Sequence, residues 1–246
     1  YVYNSIDPST VDVSKLKLKY SFSGAAPLPV NLIRDFKEKY NVDIIEGYGL
    51  TEVTGVSTCN PPLGMRKAGS IGVPYPEQEV AIMDDNHNIL PIGEKGEICT
   101  RGDANMLAYL NKPEATAETI NDGWLHTGDM GYMDEDGFFY VSGRKKEMIL
   151  RGGENIYPRE IEIPLEKHPK IAEVAVIGAP DAALGERVRA CIVLFEPGSL
   201  TADEIKEYLS DKIAKYKIPE YIEFMTEIPK NPTGKILKQD LKKMFQ

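Results

Sequence analysis

Residues 16–45 carry the order strand, small-residue turn, helix, strand, and no other stretch constrains the fold as much. Leu16, Leu18, Tyr20 and Phe22 alternate with Lys15, Lys17, Lys19 and Ser21. That is the period-two pattern of a strand with one polar side. Ser23-Gly24-Ala25-Ala26-Pro27 follows. Leu32, Ile33, Phe36 and Tyr40 then fall on one face of a helix predicted over residues 29–40, with Pro29 suited to its first turn. Val42-Asp43-Ile44-Ile45 reads as the next strand. Such a unit favours a parallel sheet of the α/β class.

From about Asn60 the texture changes. Gly and Pro become frequent, and Val80–Met83, Gly96–Arg101 and Phe138–Ser142 are candidate strands. Asp134-Glu135-Asp136-Gly137 is a turn that would close a hairpin. A small β-rich subdomain is expected here. After Gly143 the spacing predicts a helix from Pro158 to about His168, with Pro164 kinking it or resetting its register. Strands are expected over Ile171–Ala179 and Arg187–Phe195. A helix is expected from Thr201 to Lys212, started by a capping box of Thr201 and Glu204. This tail reads as a compact α+β domain over 144–246, following a larger region over 1–143, with the boundary near Arg144-Lys145-Lys146. No internal repeat or low-complexity segment interrupts it.

The 246 residues are 42% apolar and 27% charged, a balance that supports a sizeable core. No apolar run reaches the roughly 18 residues of a membrane helix. The first residues carry neither the basic start nor the apolar stretch of a signal peptide. A net charge of -9 argues against nucleic acid as the main partner. Cys59, Cys99 and Cys191 are odd in number and match no metal or redox spacing, so they read as reduced thiols of an intracellular protein. His87, His126 and His168 are widely separated, and a His/Cys metal site is not expected.

Four stretches carry chemistry. Glu46-Gly47-Tyr48-Gly49-Leu50-Thr51-Glu52 stands where a strand ends, the place at which open α/β sheets bind ligands. Its glycines allow close backbone approach. Tyr48 offers a ring to stack on a planar base, Thr51 a hydroxyl for a phosphate, and Glu52 a carboxylate for Mg²⁺. The plain alternative is a turn and an N-capped helix in which Glu52 meets the helix dipole. Trp124-Leu125-His126-Thr127-Gly128-Asp129 reads as a second turn with an acid, suited to ribose hydroxyls or to its own backbone bonds. Residues 142–156 run from a charge cluster through Ile149 to the pair Gly152-Gly153, either a solvated junction or a hinge followed by a narrow passage. Finally, Ile228-Pro229-Lys230-Asn231-Pro232-Thr233-Gly234-Lys235 sets a lysine in a loop near the end.

Taken together, Tyr-Gly-Leu-Thr-Glu, Thr-Gly-Asp, Gly-Arg-Lys-Lys-Glu, Gly-Gly-Glu-Asn-Ile and Pro-Thr-Gly-Lys occur in the order of the adenylate-forming superfamily. The chain resembles its acyl-CoA synthetases, luciferases and peptide-synthetase adenylation domains over essentially its whole length. The resemblance implies the C-terminal part of a large α/β domain, mostly parallel sheet plus a β-rich subdomain, followed by a small mobile α+β domain. It implies that Gly24, Ala25 and Ala26 border the adenine, that Tyr48 stacks on it, and that Glu46 and Gly47 belong to the same nucleotide site. Thr51 would touch phosphate and Glu52 would bind Mg²⁺. Asp129 would take the ribose, with Arg144 assisting. Lys146 would be the hinge between two half-reactions, and Gly152 and Gly153 would line the pantetheine passage of CoA. Lys235 would be the catalytic lysine that faces the α-phosphate of ATP, a compact cation on a loop loosened by Thr233-Gly234.

Two departures qualify that resemblance. The Ser/Thr/Gly-rich phosphate loop, found upstream in relatives, is absent, and only 22 residues precede Ser23. The chain is therefore expected to be the C-terminal half of a longer enzyme, inactive alone, with an apolar sheet edge open to association. Pro164 replaces a helix-forming residue. Lys235, Lys238 and Lys242 recur at helical spacing and read as a solvated face, with Leu237 and Leu241 as the seam. The expected activity is AMP-forming ligation of a carboxylic acid to CoA in the cytoplasm. Gly47, Gly49 and Val53–Val56 are small or medium and permit an aliphatic or aryl acid, and a medium or long fatty acid is expected ahead of a coumarate-like acid. Alternatives are a peptide-synthetase adenylation domain, less favoured by Lys146 where those domains carry Asp, luciferase-type oxidation, and a non-catalytic nucleotide-binding module.

Overall fold

A computed structural model describes residues 6–10, 12–25, 28–232 and 234–245. Ala26, Pro27 and Thr233, named above, lie outside them. The chain divides into two compact units, residues 1–141 and 142–246.

In the first unit, β1 (Tyr20–Ser23), α1 (Val30–Tyr40) and β2 (Asp43–Tyr48) form the expected crossover. The two strands pair in parallel, Tyr20 opposite Asp43 and Ser23 opposite Glu46. Asn41, at φ 54°, closes α1 by donating its N–H to the Lys37 carbonyl, and Lys37 and Lys39 oppose the helix dipole in the last turn. The predicted strand from Leu16 begins only at Tyr20. Val13–Lys15 form a 3₁₀ turn capped by Asp12, and Leu16 and Leu18 are 42% and 56% exposed, so their apolar side has no layer to pack on. β3 (Thr58–Cys59) and β4 (Val73–Pro74) complete the sheet in the order β1-β2-β3-β4. Both of these join antiparallel, so within this sheet parallel pairing is confined to β1 and β2 among the described strands. The reason is local: a 3₁₀ turn at Thr51–Val53, rather than a crossover helix, follows β2 and turns the chain straight back.

The β-rich region is a second sheet. β5 (Gln78–Met83), β6 (Gly96–Gly102), β7 (Ile120–Asn121), β8 (Trp124–Met133) and β9 (Phe139–Arg144) lie in the order β5-β6-β8-β7, with β9 also on β8. The short α2 (Pro113–Thr119) precedes β7. The β8–β9 turn is the predicted one. Asp134 accepts the N–H of Asp136 and Phe138 at 3.0 and 2.9 Å, and Gly137 takes φ 81°. Ile82, Ile98 and Phe139 form a buried cluster against which Tyr48 packs.

In the second unit, β10 (Ile149–Arg151), β11 (Glu154–Ile156), β12 (Ile171–Asp181), β13 (Gly185–Leu194) and β14 (Tyr221–Phe224) run β11-β10-β13-β12, with β14 parallel to β13. α3 (Pro158–Glu166) and α4 (Ala202–Leu209) bury Ile161, Leu165, Ile205 and Leu209 in one core with Ile149 and Val176. The capping box at Thr201 and Glu204 is present. α3 runs through Pro164 and stops two residues on. The missing N–H falls in the last turn, and the Pro164 carbonyl accepts the Tyr208 hydroxyl at 3.1 Å. The C-terminal α5 (Lys238–Lys243) buries Leu241. Its first residue is not on a solvated face. The Lys238 ammonium lies 2.8 Å from Glu162 Oε1 and 2.9 Å from Glu147 Oε2.

Candidate functional site

Parallel pairing brings the carboxyl ends of β1 and β2 side by side, and with them two of the sequence stretches. A Cβ on Gly24 would stand 3.0 Å from the Gly47 carbonyl oxygen. A Cβ on Gly49 would stand 1.9 Å from the Gly55 oxygen, so Gly49 is required by backbone contact alone. Ala25 holds φ 66°, the left-handed region that a residue with a Cβ rarely enters. The Glu46 carboxylate accepts the Gly69 N–H at 3.0 Å and so braces the loop before β4.

Asp129, 6% exposed, meets this edge directly, for the Tyr48 hydroxyl donates to its Oδ2 at 2.7 Å. The Thr127-Gly128-Asp129 segment is not the turn expected from sequence. It is a bulge inside β8: Glu97 pairs with Met130 and Cys99 with His126, so two steps along β6 face four along β8. Gly128 takes φ 73° within it. Thr127 Oγ1 donates to the Ile98 carbonyl at 2.7 Å and accepts the Asp129 N–H at 3.1 Å. The Gly128 N–H goes to Glu97 Oε1 at 2.8 Å. Glu97 was missed in the sequence, although a carboxylate within a strand run as apolar as Ile98-Cys99 was a signal.

Thr51 and Glu52 sit on the 3₁₀ turn, which Val53 anchors by complete burial. Thr51 is exposed and Glu52 half-buried. The loop after β6 grips Glu52 twice. Met106 N–H donates to its carbonyl at 2.6 Å, and the Tyr109 hydroxyl donates to Oε1 at 2.7 Å. That bond to the carboxylate, with burial second, pushes the Tyr109 phenol pKa up. Tyr109 lies 57 positions from Glu52, and no sequence signal marked it. A single carboxylate with one oxygen already held fits Mg²⁺, which takes one or two protein carboxylates and completes its shell with phosphates and water. Among the described residues, no group of three or more His, Cys, Asp or Glu is placed to hold a metal ion. The histidines are nevertheless not all far apart. His87 Nδ1 lies 3.0 Å from His126 Nε2, and Cys99 Sγ lies 3.2 Å from His126 Nδ1.

The remaining candidates belong to the second unit. Arg144 ends β9 and is exposed. Lys146 is exposed on a 3₁₀ turn, Lys145–Glu147. Gly152 and Gly153, at φ 57° and 90°, form the two-residue connection between β10 and β11, a turn that needs left-handed backbone at both positions. Lys235 is exposed. Asn231 and Lys235 clasp each other, Lys235 N–H to Asn231 Oδ1 at 2.8 Å and Asn231 N–H to the Lys235 carbonyl at 2.9 Å.

Residues 4–110 match the family profile described as AMP-binding enzyme, and residues 160–235 that described as AMP-binding enzyme C-terminal domain. A long-chain-fatty-acid–CoA ligase of Bacillus subtilis (strain 168) is 44% identical over 225 residues, 91% of this chain and 40% of that protein. A fatty acid–[acyl-carrier-protein] ligase, ScoC, of Streptomyces coeruleorubidus is 38% identical over 93% of this chain and 45% of its own length. The chain thus spans less than half of each of these relatives. Among solved structures, the o-succinylbenzoate coenzyme A synthetase of Bacillus subtilis in complex with ATP and magnesium superposes with a TM-score of 0.81 at 34% identity, covering 94% of this chain and 48% of that one.

Proposed function

The chain belongs to the family of AMP-binding enzymes, and from that membership we propose that its residues serve an acyl-CoA ligase. In the first half-reaction a carboxylate oxygen of the acid bonds to the α-phosphorus of ATP and pyrophosphate leaves. In the second, the CoA thiolate bonds to the acyl carbonyl carbon and AMP leaves. The observation that carries this reading is the Tyr48–Asp129 bond beside the paired ends of β1 and β2. It sets an aromatic ring and a buried carboxylate together at the carboxyl end of the β1–β2 pair, as adenine and ribose require.

Thr51 and Glu52 would face the phosphates, and Mg²⁺ held by Glu52 would offset the charge of the leaving pyrophosphate. Lys235 would stabilise charge at the α-phosphate, Arg144 would assist at the ribose, and Lys146 would turn the second unit between the half-reactions. Gly152 and Gly153 would then admit the pantetheine arm. A fatty acid is the proposed substrate, supported by the naming of the Bacillus subtilis relative, and the cytoplasm, with its ATP and CoA, the proposed place of work. The ScoC relative supports a second acceptor, the pantetheine of a carrier protein.

Carboxylate-dependent pyrophosphate release tests the proposal. It should be run on this chain alone and on this chain joined to the part of the Bacillus subtilis relative that it does not span. Fatty and aryl acids would be offered, with CoA or a pantetheinylated carrier protein. Acyl-CoA formed from fatty acids by the joined protein is the expected result. Nucleotide binding without pyrophosphate release from any acid would replace it with a binding module.

A further inference from the structure

The bulge that presents Asp129 needs a partner for its own backbone. Ile98, the one residue of β6 between the flanking pairs, cannot satisfy the three of β8 opposite it through ladder bonds, and an amide shielded from water without an acceptor is costly. Glu97 supplies the acceptor. It is 8% exposed, its Oε1 takes the Gly128 N–H at 2.8 Å, and its Oε2 lies 3.3 Å from His126 Nδ1. Burying a carboxylate is unfavourable unless it is well bonded, so apolar packing does not account for it. Its immediate neighbour across the bond, Gly128, precedes the acid assigned to the ribose.

We propose that Glu97 is a positioning residue for Asp129. By holding the Gly128 N–H, its side chain fixes the bulge at the pitch that points the Asp129 carboxylate at the nucleotide ribose, while His126 orients Glu97 from the other side. This rests on the reading of Asp129 as the ribose acid. A carboxylate that merely knits two strands together would matter equally for every ligand of the site. One that acts through Asp129 matters only for ligands that have ribose hydroxyls.

The test uses E97Q, which keeps an acceptor for Gly128, and E97A and E97D, which remove or withdraw it. The first readout is amide exchange of Gly128 by NMR in the nucleotide-free chain. Exchange should accelerate about tenfold or more in E97A and E97D and stay near the unsubstituted rate in E97Q. The second readout is affinity for ATP and for 2′,3′-dideoxy-ATP. ATP affinity should fall about tenfold in E97A and E97D and recover in E97Q, while dideoxy-ATP affinity should change by less than about twofold. Equal losses for both nucleotides, or Gly128 exchange indifferent to all three substitutions, overturn the proposal. If E97A does not fold, E97D decides. D129A separates the underlying reading: should it also weaken both nucleotides equally, the ribose assignment fails whatever Glu97 does. Should the chain bind neither nucleotide, Gly128 exchange alone decides whether Glu97 holds the bulge.

Discussion

Tyr48 and Asp129 stand 81 positions apart in the sequence and share a 2.7 Å hydrogen bond, phenol to carboxylate. The bond ties the end of β2 to the bulge of β8, so the ring proposed to stack on the base and the acid proposed to take the ribose are set as one unit. Asp129→Ala is expected to weaken ATP binding by about 1.5–3 kcal/mol, the loss of charge-assisted bonds. Tyr48→Phe keeps the ring and should cost only about 0.5–1.5 kcal/mol. Titration calorimetry checks both, and an unchanged ATP affinity in Asp129→Ala removes Asp129 from the ribose.

The Tyr109 hydroxyl donates to Glu52, and if Glu52 holds Mg²⁺ as proposed, that bond would orient the ligand. Tyr109→Phe should raise the Mg²⁺ concentration for half-maximal pyrophosphate release about tenfold. Tyr109, Tyr132 and Tyr140 all have phenols pushed above the ordinary value. Alkaline ultraviolet titration should therefore show a late-ionising component that shrinks in Tyr109→Phe. No change in that component would mean that the bond does not form in solution.

Lys235→Ala should slow adenylation about 10²–10³-fold while leaving thiolysis of supplied acyl-adenylate largely intact. Lys146→Pro, by stiffening the 3₁₀ turn at Lys145–Glu147, should do the reverse. The two half-reactions are measured separately in the joined protein. Equal loss of the same step in both variants contradicts a two-conformation cycle.

Lys238 neutralises Glu162, which is 7% exposed and also accepts the Val176 N–H at 2.9 Å. Lys238→Met leaves that buried carboxylate only the more distant Arg159 guanidinium, 3.8 Å from its Oε2. The expected loss of stability is on the order of 3 kcal/mol, read by denaturant unfolding. A loss below about 0.5 kcal/mol would return Lys238 to the status of an ordinary surface lysine.

Burial raises the Asp134 carboxyl pKa, but the Lys67 ammonium and the Phe138 N–H outweigh it and hold it below its ordinary 3.8. A carboxylate depressed by folding stabilises the fold above its unfolded pKa, and that contribution is lost as pH falls through the folded value. Lys67→Met should therefore make the acid side of the stability profile shallower below about pH 4. Thermal melts from pH 6 to pH 2 check the slope. An identical slope in both proteins shows that the ion pair contributes nothing.

What residues say about their near neighbours was legible in the chain itself. The Thr201–Glu204 box, the Asp134–Gly137 turn and the helix face of Leu32, Ile33, Phe36 and Tyr40 depend on separations of a few positions, and each such rule acts within one element. The order of the motifs, and with it the family, was legible for the same reason. The strand predicted from Leu16 failed because alternation reports a face, not whether anything covers it.

The pairings that make a site were not legible. Tyr48 with Asp129, Tyr109 with Glu52, Glu97 with Gly128 and Lys238 with Glu162 each join side chains from distant segments. Thr127-Gly128-Asp129 reads as a turn in isolation and becomes a bulge only because β6 lies opposite it with two residues too few. Local sequence carries the propensity to bend. Tertiary pairing decides the direction of the bend, because the hydrogen bonds left over by a strand register have to be satisfied by whatever side chain that register brings within reach.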